Sequence, residues 1–172
     1  KPAESQSCTS GGGGGGLPPS QPPETITETL TSLSPEQPAE VIIDNPKIDL
    51  TKITISVLEI ISGVSLTVTE VDIVEGNLQI GLPLGESYQA FKINATKLND
   101  TNVANVTIEF KVNKTWLEEQ NGLESDISLY RKQDKGNKWD SLITTFTNED
   151  ENYYYFSALS PGFSTFVVFF GK

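Results

Sequence analysis

The chain has 172 residues, 12 basic against 23 acidic side chains for a net charge of −11, and no histidine. That balance argues against nucleic-acid binding, because a phosphate backbone demands clustered Lys and Arg. The absence of histidine also removes the usual general base at neutral pH, while the acidity suits a protein kept soluble on a crowded surface or one that attracts cations.

Residues 1–40 are rich in Gly, Pro, Ser and Thr, with six consecutive glycines at 11–16 followed by Leu17-Pro18-Pro19 and Gln21-Pro22-Pro23. Glycine tracts lose much entropy on ordering and proline pairs favour extended geometry, so this composition reads as an arm, flexible and then stiff. The lone cysteine, Cys8, lies in it and can form no intrachain disulfide, leaving a free thiol or an intermolecular bridge. With neither an initiator methionine nor a signal-like apolar run, the chain reads as a processed product or a fragment. Within the arm, Thr25, Ile26, Thr27, Leu30 and Leu33 belong to the one stretch with hydrophobic content, and its threonines favour an extended chain. Such a strand suits backbone pairing along the open sheet edge of a neighbouring copy. Removing residues 1–40 is then expected to leave a folded monomer that no longer assembles.

From residue 41 the composition changes to short β-rich runs, which sets a single packed domain at 41–172. Residues 41–43 form a brief first strand closed by Asp44-Asn45-Pro46, and Ile53, Ile55 and Val57 alternate with Thr54 and Ser56 as a half-buried strand. Gly63 breaks the next run, after which Val64, Leu66 and Val68 alternate with Ser65, Thr67 and Thr69. Leu82-Pro83-Leu84-Gly85 is a turn, and 88–93 and 103–112 supply two more strands. One helix is expected over 113–121: Thr115 and Glu118 fit a capping box, Asn121-Gly122 stops it, and Trp116 and Leu117 pin it to the sandwich, with Trp116 mostly buried. Residues 127–132 and 138–146 read as a hairpin, and 153–159 precede a last strand entered through Pro161-Gly162.

That last strand carries five apolar residues in a row, 166–170, too few for the roughly 20 of a membrane-spanning helix. A strand apolar on both faces must be covered on both sides. The fold expected is therefore all-β: an Ig-like antiparallel sandwich of eight or nine strands with one short helix, preceded by an extended arm.

Chemistry is sparse in this pattern. Four glycosylation sequons fall within 22 residues, at Asn94, Asn99, Asn105 and Asn113, and mark an exposed, sugar-coated face in a secreted protein. The bland alternative puts Asn94 and Asn105 in strands and makes Asn113 a helix cap. No nucleophile elbow or phosphate-loop pattern occurs, so catalysis is not expected and no catalytic residue is assigned. Glu149, Asp150 and Glu151 sit in a loop and offer oxygen ligands that suit calcium, without the spacing of a calcium loop, and Glu70, Asp72 and Glu75 form a second such group. No other cofactor is expected. Of Tyr153-Tyr154-Tyr155-Phe156, at most two rings can share one face, half reading as core and half as exposed.

The pieces Val112-Asn113-Lys114-Thr115-Trp116-Leu117-Glu118-Glu119, Ser128-Leu129-Tyr130-Arg131, Tyr153-Tyr154-Tyr155-Phe156 and Pro161-Gly162-Phe163-Ser164-Thr165-Phe166 come in a set order. In that order the chain resembles the PGF-pre-PGF domain of archaeal cell-surface proteins over about residues 53–170. The resemblance implies a secreted, surface-displayed module with no known catalytic residues. Other copies, other surface proteins and N-linked glycans are the partners this reading expects, in an extracellular structural assembly. The competing expectation is a secreted carbohydrate- or calcium-binding sandwich.

Overall fold

The computed structural model describes residues 23–73, 78–133, 135 and 137–171. Cys8, Glu75 and the glycine tract lie outside the described residues. Eleven strands are present among those described, in two antiparallel sheets that enclose one main core.

The first sheet orders β1 (Thr25–Leu33), β4 (Ile61–Val71), β5 (Gly85–Ala95), β11 (Thr165–Gly171), β7 (Ile127–Lys132) and β8 (Trp139–Ser141) side by side. The second orders β2 (Ala39–Ile42), β3 (Leu50–Val57), β6 (Val103–Asn113), β10 (Tyr153–Ser160) and β9 (Thr144–Glu149). Alternation decides which side chains face inward. In β6 Val106, Ile108, Phe110 and Val112 are buried while the residues between them are half-exposed, and β3 and β4 repeat the pattern. Phe91 stacks on Phe166 at 5.8 Å and Phe110 on Phe156 at 5.4 Å, filling the space between the sheets.

The run 166–170 is buried throughout, as its two-faced apolar pattern requires. Phe166, Val168 and Phe170 join the main core. Val167 and Phe169 point the other way, into a smaller cluster with Leu78 and Ala90, flanked by Ile73, Leu82, Tyr130 and Trp139. Ile73, Leu78 and Leu82, from between β4 and β5, thus cover the back of the central strand.

The N-terminal reading is corrected in one respect. Thr25–Leu33, placed by composition before the packed domain, is one of its strands. It pairs antiparallel with β4 of its own chain, Thr25 opposite Thr69 and Leu33 opposite Ile61. Leu33 is 2% exposed, and Ile26 and Leu30 pack against the core. An edge strand needs only one apolar side, and Ile26, Leu30 and Leu33 supply it while the threonines face water.

Three smaller differences have local causes. The Gly63 break falls inside β4 and is absorbed by a positive φ of 67°. The stretch 138–146 is not one strand: β8 pairs with β7 in the first sheet, and β9 crosses to the edge of the second. The helix, α1 (Lys114–Glu119), is capped by Asn113, whose side chain accepts from the Trp116 amide at 3.2 Å, and not by Thr115. Its inward residue is Leu117, 1% exposed, whereas Trp116 is only half-buried and meets Tyr88 edge-on at 4.8 Å. A single 3-10 turn, Glu124–Asp126, follows. Asn121 takes the left-handed conformation that ends α1, and a Cβ on Gly122 would lie 2.5 Å from the Phe170 ring and 2.7 Å from Leu117.

Candidate functional site

A polar and aromatic grouping lies where β3, β5, β6 and β10 meet α1, and it joins the two sheets. Tyr88 reaches across from β5, and its hydroxyl donates to the Asp49 carboxylate just before β3. The same oxygen accepts from the Asn113 amide at 3.2 Å. Burial and then the neighbouring Asp49 carboxylate push this phenol far above its ordinary range, so it stays a neutral donor. Gln89 holds the chain here by accepting from the Asp49 amide at 2.8 Å and donating to the Lys47 carbonyl at 2.7 Å.

Lys111 continues the group onto the outer face of the second sheet. Its ammonium is 3.7 Å from Asp49 Oδ1 and 4.2 Å from the centre of the Tyr153 ring. Strand alternation then sorts the tyrosines as expected. Tyr153 and Tyr155 lie opposite Asn113 and Lys111 on the outer face, while Tyr154 and Phe156 lie opposite Val112 and Phe110 on the inner one. Tyr155 donates to Asp150 Oδ2 at 2.6 Å, and Asp150 Oδ1 accepts from the amides of Asn152 and Tyr153, both at 2.8 Å.

These contacts decide the role of the acidic loop. Asp150 closes the β9–β10 turn, and Glu149 pairs with Lys114. Two of the three carboxylates proposed for calcium are thereby engaged, and among the described residues no group of three or more Asp, Glu, His or Cys is placed to hold a metal ion. Glu151 stands exposed at the loop tip. Of the other acidic group, Glu70 donates its amide to the Glu24 carbonyl at 2.8 Å at the end of the β1–β4 pair.

The Tyr155 hydroxyl, followed by the two amides, holds the Asp150 carboxyl below its ordinary value of 3.8. A depressed folded-state pKa contributes stability above the unfolded value that is lost as pH falls through the folded one. Asp150→Asn is therefore expected to lower the urea midpoint at pH 7, with the gap to the parent closing below about pH 4. Urea titrations from pH 7 to pH 2 check this, and a gap that persists unchanged at pH 2 would show that the carboxylate's charge contributes nothing.

All four sequon asparagines are at the surface. Asn94 is exposed on the outer face of the first sheet opposite Thr67, and Asn99 is exposed in the β5–β6 loop. Asn99 Oδ1 accepts from both the amide and the hydroxyl of Thr101, at 2.9 and 2.5 Å. Asn105, half-exposed, lies opposite Ser56 on the outer face of the second sheet. Asn113 is both a sequon and the α1 cap, so the two readings coincide in one residue. Asn113→Ala should cost about 0.5–2 kcal/mol through loss of the cap, whereas Asn113→Asp keeps a capping oxygen and should cost little, as urea unfolding will measure.

The sequence reading missed Asp49, Tyr88, Gln89 and Lys111. The contacts of Asp49 with Tyr88 and Gln89 span 39 and 40 positions, its pairing with Lys111 is longer still, and no short motif marks them. No protein-family model matches the chain, and no curated protein matches it either. Among the described residues no helix is long and apolar enough to cross a membrane.

Proposed function

We propose that this chain is a non-enzymatic structural module of an archaeal cell surface or of an extracellular filament or sheath, carrying N-linked glycans. The observation that carries the reading is the surface position of all four sequon asparagines on a rigid two-sheet body, with none in the core. A sandwich displays such residues on stable strands and short loops, where sugars add bulk and solubility without disturbing the packing. The order of motifs shared with PGF-pre-PGF domains supports the surface location.

Its partners in this reading are other copies or other surface proteins. Assembly through the N-terminal segment would then require β1 to be exchanged between copies, since its place beside β4 is filled within one chain. Glycopeptide mass spectrometry of native protein tests the central claim: added mass at two or more of Asn94, Asn99, Asn105 and Asn113 is expected, and unmodified peptides at all four would overturn it. Native mass analysis of the full chain tests assembly, with oligomers the expected result and a persistent monomer the contrary one.

A second reading, a secreted carbohydrate-binding module, is favoured by one observation. Tyr153 and Tyr155 share an outer face beside the Lys111 cation, an arrangement of apolar rings and polar tips that suits sugar stacking. Specific saturable binding of the isolated monomer on a glycan array would support it.

A further inference from the structure

We propose that Tyr153 is the docking platform for the glycan carried by Asn113 of the same chain, so that sugar and sheet are packed together instead of merely linked. The inference rests on the glycoprotein reading above and adds to it the site on which one glycan lies.

Three observations meet at this position. Asn113 and Tyr153 are direct cross-strand partners of the β6–β10 pair, both on the outer face. Directly opposed residues hold their Cβ atoms about 4.5–5.5 Å apart, which is within reach of the first sugar of a glycan. Asn113 engages its Oδ1 as the cap of α1 and its backbone amide with Tyr88, while no hydrogen bond among the described residues holds its Nδ2. Glycosylation uses only that nitrogen.

The covalent step leaves the cap intact. Nδ2 attacks the anomeric carbon of an oligosaccharide carried on a lipid phosphate, supplied with its transferase by the cell. A C–N bond forms, the C–O bond to phosphate breaks, the lipid phosphate leaves with the electron pair, and the amide gives up one proton. Oδ1 keeps its lone pairs and goes on accepting from the Trp116 amide, so folding and modification do not compete. Thr115, the third sequon residue, is exposed on the first turn of α1.

The platform itself is stiff and chemically suited. Tyr153 is half-buried, its amide is tied to Asp150, and the Lys111 ammonium stands 4.2 Å from its ring centre. The ring offers an apolar edge and face to sugar C–H groups, and Lys111 offers N–H donors to sugar oxygens. The tether matters as much as the contact, because a covalently attached sugar meets the ring at an effective concentration in the mM range for a short linker. That is why the chain's own glycan, and not a free saccharide, is the occupant. Asn94 and Asn99 lack such a partner: Asn94 faces Thr67, and Asn99 lies in a loop.

The test is a double-mutant cycle on the full chain from a host that glycosylates it. Parent and Tyr153→Thr are compared with Asn113 intact and as Asn113→Asp, which keeps the cap but cannot be glycosylated; Thr retains strand preference, and Tyr153→Phe retains the ring. The unfolding equilibrium should shift on Tyr153→Thr by a further factor of about 2 to 10 in the glycosylated chain, matching the strength of a stacked aromatic contact. Tyr153→Phe should leave that factor near one. An equal effect of Tyr153→Thr in both backgrounds, or a Phe variant that behaves like Thr, would overturn the docking while leaving the glycoprotein reading in place. An unmodified Asn113 in peptides from the native protein would overturn the inference at its root, and if the other three sequons are also bare, the glycoprotein reading falls with it.

Discussion

A chain that starts at Ser34 is expected to lose most of its stability. Leu33 is 2% exposed, and its truncation to Ala alone should cost about 2–5 kcal/mol. Deleting residues 1–33 also removes Ile26 and Leu30 from the core wall and strips β4 of its outer partner. Against a total of about 5–15 kcal/mol for a domain, the shortened chain should unfold at a much lower urea concentration or fail to fold. This reverses the expectation from composition, in which loss of residues 1–40 leaves a folded monomer. Urea midpoints of the full chain, the chain from Ser34 and Leu33→Ala decide the matter, and equal midpoints for the first two would restore the free-arm picture. Restoration of the midpoint by an added peptide of residues 25–33 would further show that the β4 edge accepts this strand in trans, as exchange between copies requires.

Phe166→Ala is expected to be the most damaging single substitution in the last strand. The side chain is fully buried, stacks on Phe91 and lies in the strand flanked by β5 and β7, so its loss should cost about 3–5 kcal/mol. Phe163, three residues earlier in the Pro161-Gly162-Phe163 turn, is only half-buried and should cost clearly less when replaced by Ala. The turn has its own fastenings: Ser160 Oγ donates to the Gly162 carbonyl at 2.7 Å, and Ser164 Oγ to the Lys132 carbonyl at 2.6 Å. Buried Arg131 donates to the Phe163 carbonyl at 3.3 Å. Equal losses for Phe163→Ala and Phe166→Ala, measured by urea unfolding, would mean that the turn and not the central strand limits stability.

Several features of the molecule were legible because they are written in neighbouring residues. A period of two in 53–57, 64–69 and 103–112 announces strands with one wet face, and five apolar residues in 166–170 announce a strand covered twice. The helix stop at Asn121-Gly122 and the division of Tyr153 and Tyr155 from Tyr154 and Phe156 follow from the same local geometry. The sequence offers both Thr115 and Asn113 as caps, because each precedes the apolar residues at cap-like spacing, and only the backbone of β6, extended through Asn113, selects Asn113.

By itself, then, the sequence determined the class of fold, the facing of each strand and the positions of the sequons, since each depends on side-chain period and composition within a few residues. Apart from the β7–β8 hairpin, the tertiary structure alone decided where the strands pair. A threonine-rich stretch with one apolar side reads equally well as a free arm or as an edge strand, and β4, whose paired residues run from Ile61 opposite Leu33 to Thr69 opposite Thr25, settles the choice by offering backbone partners and a matching wall of Val64, Leu66 and Val68. The same holds for the group around Tyr88. Asp49, Gln89, Lys111 and Tyr153 become neighbours only when two sheets close on one core, because hydrogen bonds between distant residues carry no local period that a sequence could display.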